Sequence, residues 1–209
     1  MNIKRIIKPL CSCFIAWSTN RRIKKQIEAK QWEDLFNEWE KRIAPTGAQS
    51  MDWKKMKLVE KAVDDLYQSE IKRREIIESK ATSLFEAMGF AVALISVAIT
   101  FAEKSPLLII SLLPIANLIL SGICSWNATK IGEFFLPTLQ SVKDNLELAK
   151  EKLITRPIAE KLADIEINSP ILLIKSNWLF AAYQHFLIGI LLIAIFFTII
   201  ILGILGIIL

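Results

Sequence analysis

The sequence predicts an all-α integral membrane protein with three transmembrane helices and a charged cytoplasmic part of helices and coiled coil. Three observations predict it. Hydrophobic residues make up 53% of the 209-residue chain, above the roughly 45–50% of globular domains. The excess is gathered in three blocks, residues 84–102, 106–126 and 178–209, and each reaches the roughly 20 residues that one crossing needs. The flanking stretches 1–80 and 127–177 hold 18 and 7 of the 26 Lys and Arg residues, and Lys104 between the first two blocks is the other one.

Net charge is +5 and the pI is near 9.1. A basic balance points to nucleic acid, an anionic surface or membrane topology, and topology accounts for this distribution. The positive-inside rule places both basic stretches in the cytoplasm. The expected arrangement is a multi-pass protein of the inner (plasma) membrane, N-terminus cytoplasmic, the turn at Lys104 and the C-terminus outside. No nucleic-acid motif accompanies the basic runs, so no nucleic-acid partner is expected.

Residues 1–17 mix Lys4, Arg5 and Lys8 with Ile3, Ile6, Ile7, Leu10, Phe14, Ile15 and Trp17. The segment is too short and too charged to span. It either lies in the headgroup plane, cations toward anionic lipid, or packs on the protein's own soluble part. Residues 31–43 place Trp32, Leu35, Phe36, Trp39 and Ile43 at helical spacing opposite Glu33, Asp34, Glu38, Lys41 and Arg42. This is an amphipathic helix burying an aromatic stripe. The run from Ala44 to Gly47 reads as a turn.

From Met51 to Ser105 there is no proline and one glycine, Gly89. A single helix is expected to run from a charged stretch, with a seam at Met56, Val59, Val63, Leu66, Tyr67 and Ile71, into the first apolar block. Residues 51–102 as one helix would be about 75–80 Å long. Glu103, Lys104 and Ser105 are too few to recross a bilayer, so the first two spans form a tight antiparallel hairpin. After Pro137, Leu139, Val142, Leu146, Ala149 and Leu153 follow 3-4-3-4 spacing, a coiled-coil and oligomer seam. Arg156-Pro157 should end that helix, a short helix follows near Ile158 to Ile165, and Ser169-Pro170 should start the last one. Trp178, Tyr183 and His185 read as an interfacial belt, together with Lys4, Arg5, Lys8 and Trp17 at the other end of the chain. The chain thus divides into 1–50, amphipathic; 51–155, long helix, hairpin and cytoplasmic helix; and 156–209, short helix and last span.

Cys11, Cys13 and Cys124 are odd in number and lack zinc-site spacing, and three reduced thiols are expected. One histidine excludes multi-histidine metal sites, and no phosphate-cradling or nucleophile-elbow motif occurs. No enzyme, cofactor or metal is expected. Intramembrane polar groups are the functional candidates. Glu86 sits two residues into the first block. It either reaches headgroups and Lys80 or serves a pore or inter-subunit contact. Asn117, mid-way along the second, either bonds across helices or lines a pore. Gly89/Ala93 and Ala87/Ala91 are small pairs that permit close helix approach.

The stretch EIKRREIIESKATSLFEAMGFAVALISVAITF, residues 70–101, with the hairpin and helix that follow to about Leu153, resembles the SLATT class of bacterial two-span effector domains. The likeness is one of architecture and covers about half the chain; the third span and the N-terminal amphipathic part depart from it. It implies an oligomeric membrane effector, one form of which is a pore, in prokaryotic defence or conflict. The lipid bilayer, a homo-oligomer and a cytoplasmic protein trigger are the partners implied. The alternative is a non-conducting anchor or scaffold presenting coiled-coil helices to a cytoplasmic partner.

Overall fold

The computed structural model describes residues 11–28, 30–43, 53–101, 107–130 and 152–204. Among them it forms five helices: α1 (Ser12–Glu28), α2 (Trp32–Ile43), α3 (Trp53–Phe101), α4 (Leu107–Lys130) and α5 (Lys152–Ile204). The helix expected over 31–43 is α2. The uninterrupted run from the charged stretch into the first apolar block is α3, 49 residues long. Helices α3, α4 and α5 are each long and apolar enough to cross a membrane.

The last helix departs from expectation. In place of a break at Arg156-Pro157, a short helix and a restart at Ser169-Pro170, α5 is one helix of 53 residues with Pro157 and Pro170 inside it. Each interior proline removes a backbone donor and costs about 3 kcal/mol. Ile158, Ala159, Ala163, Ile167, Ile171 and Leu172 are all buried across the two prolines. Helical stability in proteins comes mainly from such a packed face, and here it overrides the local stop signals. Lys4, Arg5, Lys8, the turn at Lys104, and Leu139, Val142, Leu146 and Ala149 lie outside the described residues, as does the side chain of Leu153.

The chain divides into two units, Met1–Asn20 with Ile77–Ile131 and Ile174–Leu209, and Arg21–Ile76 with Gly132–Leu173. The first is the apolar unit. Its core follows the 3-4 repeat of α3: Ala81, Leu84, Met88, Ala91, Ile95 and Ala98 are all buried. Met88, Ala91 and Ile95 pack with Leu118 of α4 and Ile193 of α5, and Ala98 packs with Phe196 and Ile200. The buried Ala91 of the predicted Ala87/Ala91 pair serves this internal packing. Gly189 marks the tightest crossing, since a Cβ there would lie 3.0 Å from Leu118 Cδ2.

The first turns of α1 belong to this unit. Ser12, Ala16 and Asn20, each four residues from the next, are its buried residues. Asn20 Nδ2 donates to the Ile174 carbonyl at 3.3 Å, and Asn177 Nδ2 donates to Asn20 Oδ1 at 2.9 Å. Residues 11–20 therefore pack on the apolar helices, not on the soluble part, because a face of small side chains lets the helix come close. That approach brings Cys13 to the buried Cys124, and the two form a disulfide with a Cα separation of 6.7 Å. Cys11 is the free, exposed thiol. The expectation of three reduced thiols is corrected accordingly; a separation of 111 residues hides the pair in the sequence.

In the charged unit, the aromatic stripe of α2 is held by the acids of α5. Leu35 is its buried member. Trp32 Nε1 donates to Asp164 Oδ1 at 2.9 Å, and Trp39 Nε1 donates to Glu166 Oε2 at 3.0 Å. Trp32 and Phe36 stack with ring centroids 5.2 Å apart, and the Arg156 guanidinium sits 5.5 Å from the Phe36 centroid. On the α3 seam Val63 and Tyr67 are buried, whereas Val59 and Leu66 are exposed.

Candidate functional site

The face of α3 opposite its buried repeat is the most unusual surface of the apolar unit. Thr82, Glu86, Gly89, Ala93, Ser96 and Thr100 are all exposed. Their 4-3-4-3-4 spacing puts them on one narrow stripe along the helix. Phe85, Phe90, Val92 and Val97, all more than half exposed, border it on both sides. The stripe is thus small and polar within a surface that is otherwise large and apolar. Three of its hydroxyls turn back on their own helix: Thr82 Oγ1 donates to the Glu78 carbonyl, Ser96 Oγ to Val92 and Thr100 Oγ1 to Val97. Among the described residues none requires the glycine, because a Cβ at Gly89 would meet no atom within 4 Å.

The structure separates the two intramembrane candidates. Glu86 lies on the outward stripe, while Asn117 is buried on the inward face of α4. Asn117 Nδ2 donates to the Leu113 carbonyl, and its Oδ1 lies 3.1 Å from His185 Nδ1. With the amide oxygen as acceptor, Nδ1 must carry the proton, and Nε2 is left buried without a partner. His185, expected in the interfacial belt, is 1% exposed. Its ring faces Asn117 inside the apolar unit and is not on the protein surface. Tyr183 is exposed and Trp178 half-buried against the Leu84–Cys124–Ala182 cluster. Trp17 is exposed on α1 beside Phe14, 5.9 Å between ring centroids.

Sequence reasoning passed over the serines of α4. Ser121 Oγ donates to the Ala182 carbonyl on α5 at 2.8 Å, and Ser125 Oγ donates to the Ala81 carbonyl on α3 at 2.7 Å. The signal was present: Ser111, Ser121, Ser125 and Ala128 share one face of α4 and all are buried. Lys175 was also missed. It is 2% exposed and pairs with Glu78 at 2.6 Å, an arrangement that a lone lysine among apolar residues does not announce.

In the charged unit, burial pushes the Asp164 carboxyl up to about 6; the Trp32 hydrogen bond opposes the rise and the Glu160 carboxylate adds to it. Burial, then Asp164, pushes the Tyr67 phenol up to about 12. Glu166 moves the other way, held down first by its hydrogen bond from Lys30 at 2.5 Å. Gln26, Ile27, Lys30, Glu166, Ile167 and Pro170 line an open groove of about 480 Å³. Among the described residues no group of three or more His, Cys, Asp or Glu side chains is arranged to hold a metal ion. Compared with known proteins, the chain matches no family, no curated protein and no solved structure.

Proposed function

We propose that the chain is an oligomeric effector of a prokaryotic inner membrane, self-associating through the outward stripe of α3 and altering the permeability of that membrane. The stripe is the single observation that carries this reading. Glycine in a helix interior costs about 1 kcal/mol relative to alanine, and Gly89 has no internal packing to offset it. A charged side chain in a span costs about 2.5–3.5 kcal/mol at the bilayer centre, so a carboxylate on a lipid-facing stripe also calls for company. A second copy of the same helix supplies both compensations. Gly89 and Ala93 let two backbones approach, and a ring of Glu86 carboxylates gathers water and cations about an axis. The charged unit faces the cytoplasm in this reading and receives a protein trigger. The defence setting comes from the architectural resemblance alone.

A non-conducting anchor is the second reading, and one observation favours it. Ser96 and Thr100 already satisfy their hydroxyls on their own helix, so the stripe can close as a dry contact. Sizing of the detergent-solubilised protein and dye release from liposomes separate the two. Oligomers that release dye, with release lost in Gly89→Leu at equal protein levels, are the expected result. Oligomers without release support the anchor, and a monomer refutes the effector reading.

A further inference from the structure

The Cys13–Cys124 bond is one of two attachments that hold the start of α1 on the apolar helices. The other is Asn20, which donates to the Ile174 carbonyl and accepts from Asn177. The two lie at opposite ends of the stretch from Cys13 to Asn20. Between them, Ala16 joins Leu84 of α3, Cys124 of α4, and Ala181 and Ala182 of α5 in one buried cluster, and Cys13 packs against it. The two sulfurs differ in access. Cys124 is fully buried, whereas Cys13 is half-buried and follows Cys11, the exposed free thiol, by two residues. Cys13 Sγ also lies 3.8 Å from the Leu120 carbonyl oxygen. A sulfur held permanently in a disulfide has no proton to give, but a thiol at this position has its acceptor in place. Cys124, once reduced, is a small apolar side chain in an apolar cluster. Each oxidation state thus finds a suitable setting.

Location supplies the reductant. Under the placement proposed above the basic stretches are cytoplasmic, so α4 meets the cytoplasm at its Lys130 end. Cys124 sits within about two turns of Lys130. Cytoplasmic thiols keep accessible cysteines reduced, and disulfides that form there are chiefly redox-sensing or catalytic. We infer that Cys13 and Cys124 are a redox switch that clamps α1 to the cytoplasmic ends of the apolar helices when oxidised and frees its first turn when reduced. The co-reactant is a low-molecular-weight thiol. Opening begins at Cys13, the sulfur with the better access. The attacking thiolate bonds to Cys13 Sγ, the Cys13–Cys124 bond breaks, and Cys124 leaves as a thiolate that takes up a proton. A second thiolate attacks the small molecule's sulfur in that mixed disulfide and releases the Cys13 thiolate, which is protonated and donates to the Leu120 carbonyl. One protein disulfide and two small thiols become two protein thiols and one small disulfide. Closing is the reverse, with the small disulfide as oxidant. Asn20 stays in place throughout and acts as the hinge.

The inference rests on the membrane placement proposed above and is independent of self-association and permeability. The test has a cellular arm and a structural arm. In growing cells, quenched with acid and alkylated, the peptide pair linked through Cys13 and Cys124 is expected to be absent by mass spectrometry; a pulse of diamide, which turns cellular thiols into their disulfides, is expected to bring it up. Full-length protein purified in air holds the bond closed, and hydrogen exchange in detergent then measures the clamp. Dithiothreitol is expected to speed exchange several-fold at the amides from Ile15, which donates to the Cys11 carbonyl, to Trp17. Amides around Asn20 and in α4 and α5 keep their rates. Cys13→Ser is expected to exchange like the reduced wild type with or without reductant, and Cys124→Ala gives the same readout if the first variant misfolds. A linked pair that persists in growing cells, with Cys11 shielded from a membrane-impermeant maleimide, overturns this inference alone, since the bond is then a structural staple. Labelling of Cys11 by that maleimide in intact cells overturns the placement and the switch with it. Equal exchange in the two redox states overturns the switch, as does faster exchange throughout α4 and α5, because reduction then unfolds the unit instead of releasing one helix.

Discussion

Asp164 carries the clearest electrostatic debt in the charged unit. Its carboxyl is 3% exposed, accepts one hydrogen bond from Trp32, and neighbours Glu160 one turn away on the same helix. Burial raises its pKa from 3.8 to about 6. That rise of about two units is about 3 kcal/mol, at 1.36 kcal/mol per unit. The folded state holds the proton more tightly than the unfolded one. Below the unfolded value no stability is lost; loss begins as pH climbs past it and is complete above the folded value near 6. Glu166, with its lowered pKa, loses its contribution only at lower pH, outside this window. Asp164→Asn removes the buried charge and keeps an oxygen to accept from Trp32. The substitution should therefore stabilise the protein at pH 7.5, by less than the 3 kcal/mol ceiling because the amide brings N–H groups that need partners. Thermal unfolding in detergent, followed by tryptophan fluorescence, is the assay. The wild type should melt higher at pH 5.5 than at pH 7.5, and the variant should gain at pH 7.5 and lose most of the pH dependence. A variant that melts lower at pH 7.5, or a wild type with no difference between the two pH values, refutes the reasoning.

The two glycines of opposite placement should behave oppositely. Gly189→Val drives a side chain into Leu118 and should cost about 1–3 kcal/mol of thermal stability, whereas Gly89→Val should leave the melting curve near wild type and reduce oligomer size on sizing. Lys175→Met removes the buried ammonium that Glu78 faces and should destabilise, by less than the roughly 3 kcal/mol of a fully buried pair because the Glu78 side chain is 33% exposed; an unchanged melting curve would refute this. Alkylation of the denatured protein before reduction should label Cys11 alone among the three cysteines, and labelling of all three removes the Cys13–Cys124 link.

The fold was legible where periodicity and composition act over long stretches. The α2 amphipathic pattern, the proline-free length of α3 and the three apolar blocks each survive into the structure because no long-range contact opposes them. The proline signals at 157 and 170 misled for a physical reason: they are local, and the buried face of α5 is not. The polar interior was half legible. Asn117 is conspicuous in an apolar block, but its partner His185 lies 68 residues away and looks interfacial when read alone. Lys175 and Cys13 were illegible for the same cause, since each is defined by what another helix brings to it, whereas the α4 serines share a face that their spacing does show. The outward stripe of α3 was only partly visible. Spacing links Glu86 to Gly89, Ala93, Ser96 and Thr100, but spacing says nothing about which side of a helix the rest of the protein covers.

The inward polar face of α4 has a consequence for how the protein is made. Among the candidate spans α4 is the least apolar and α5 the most. Ser125 finds its acceptor on α3, already synthesised when α4 emerges. Ser121 finds its acceptor and the Asn117 amide oxygen its donor on α5, which is synthesised after α4. Until α5 is made, the Ser121 hydroxyl and the Asn117 amide oxygen therefore lack the partners that the folded protein gives them. A chain ended before Trp178 should stay in that state and be cleared by membrane proteases, as pulse-chase labelling would register. Synthesis of α5 supplies the carbonyl and the imidazole that complete the inward polar face of α4.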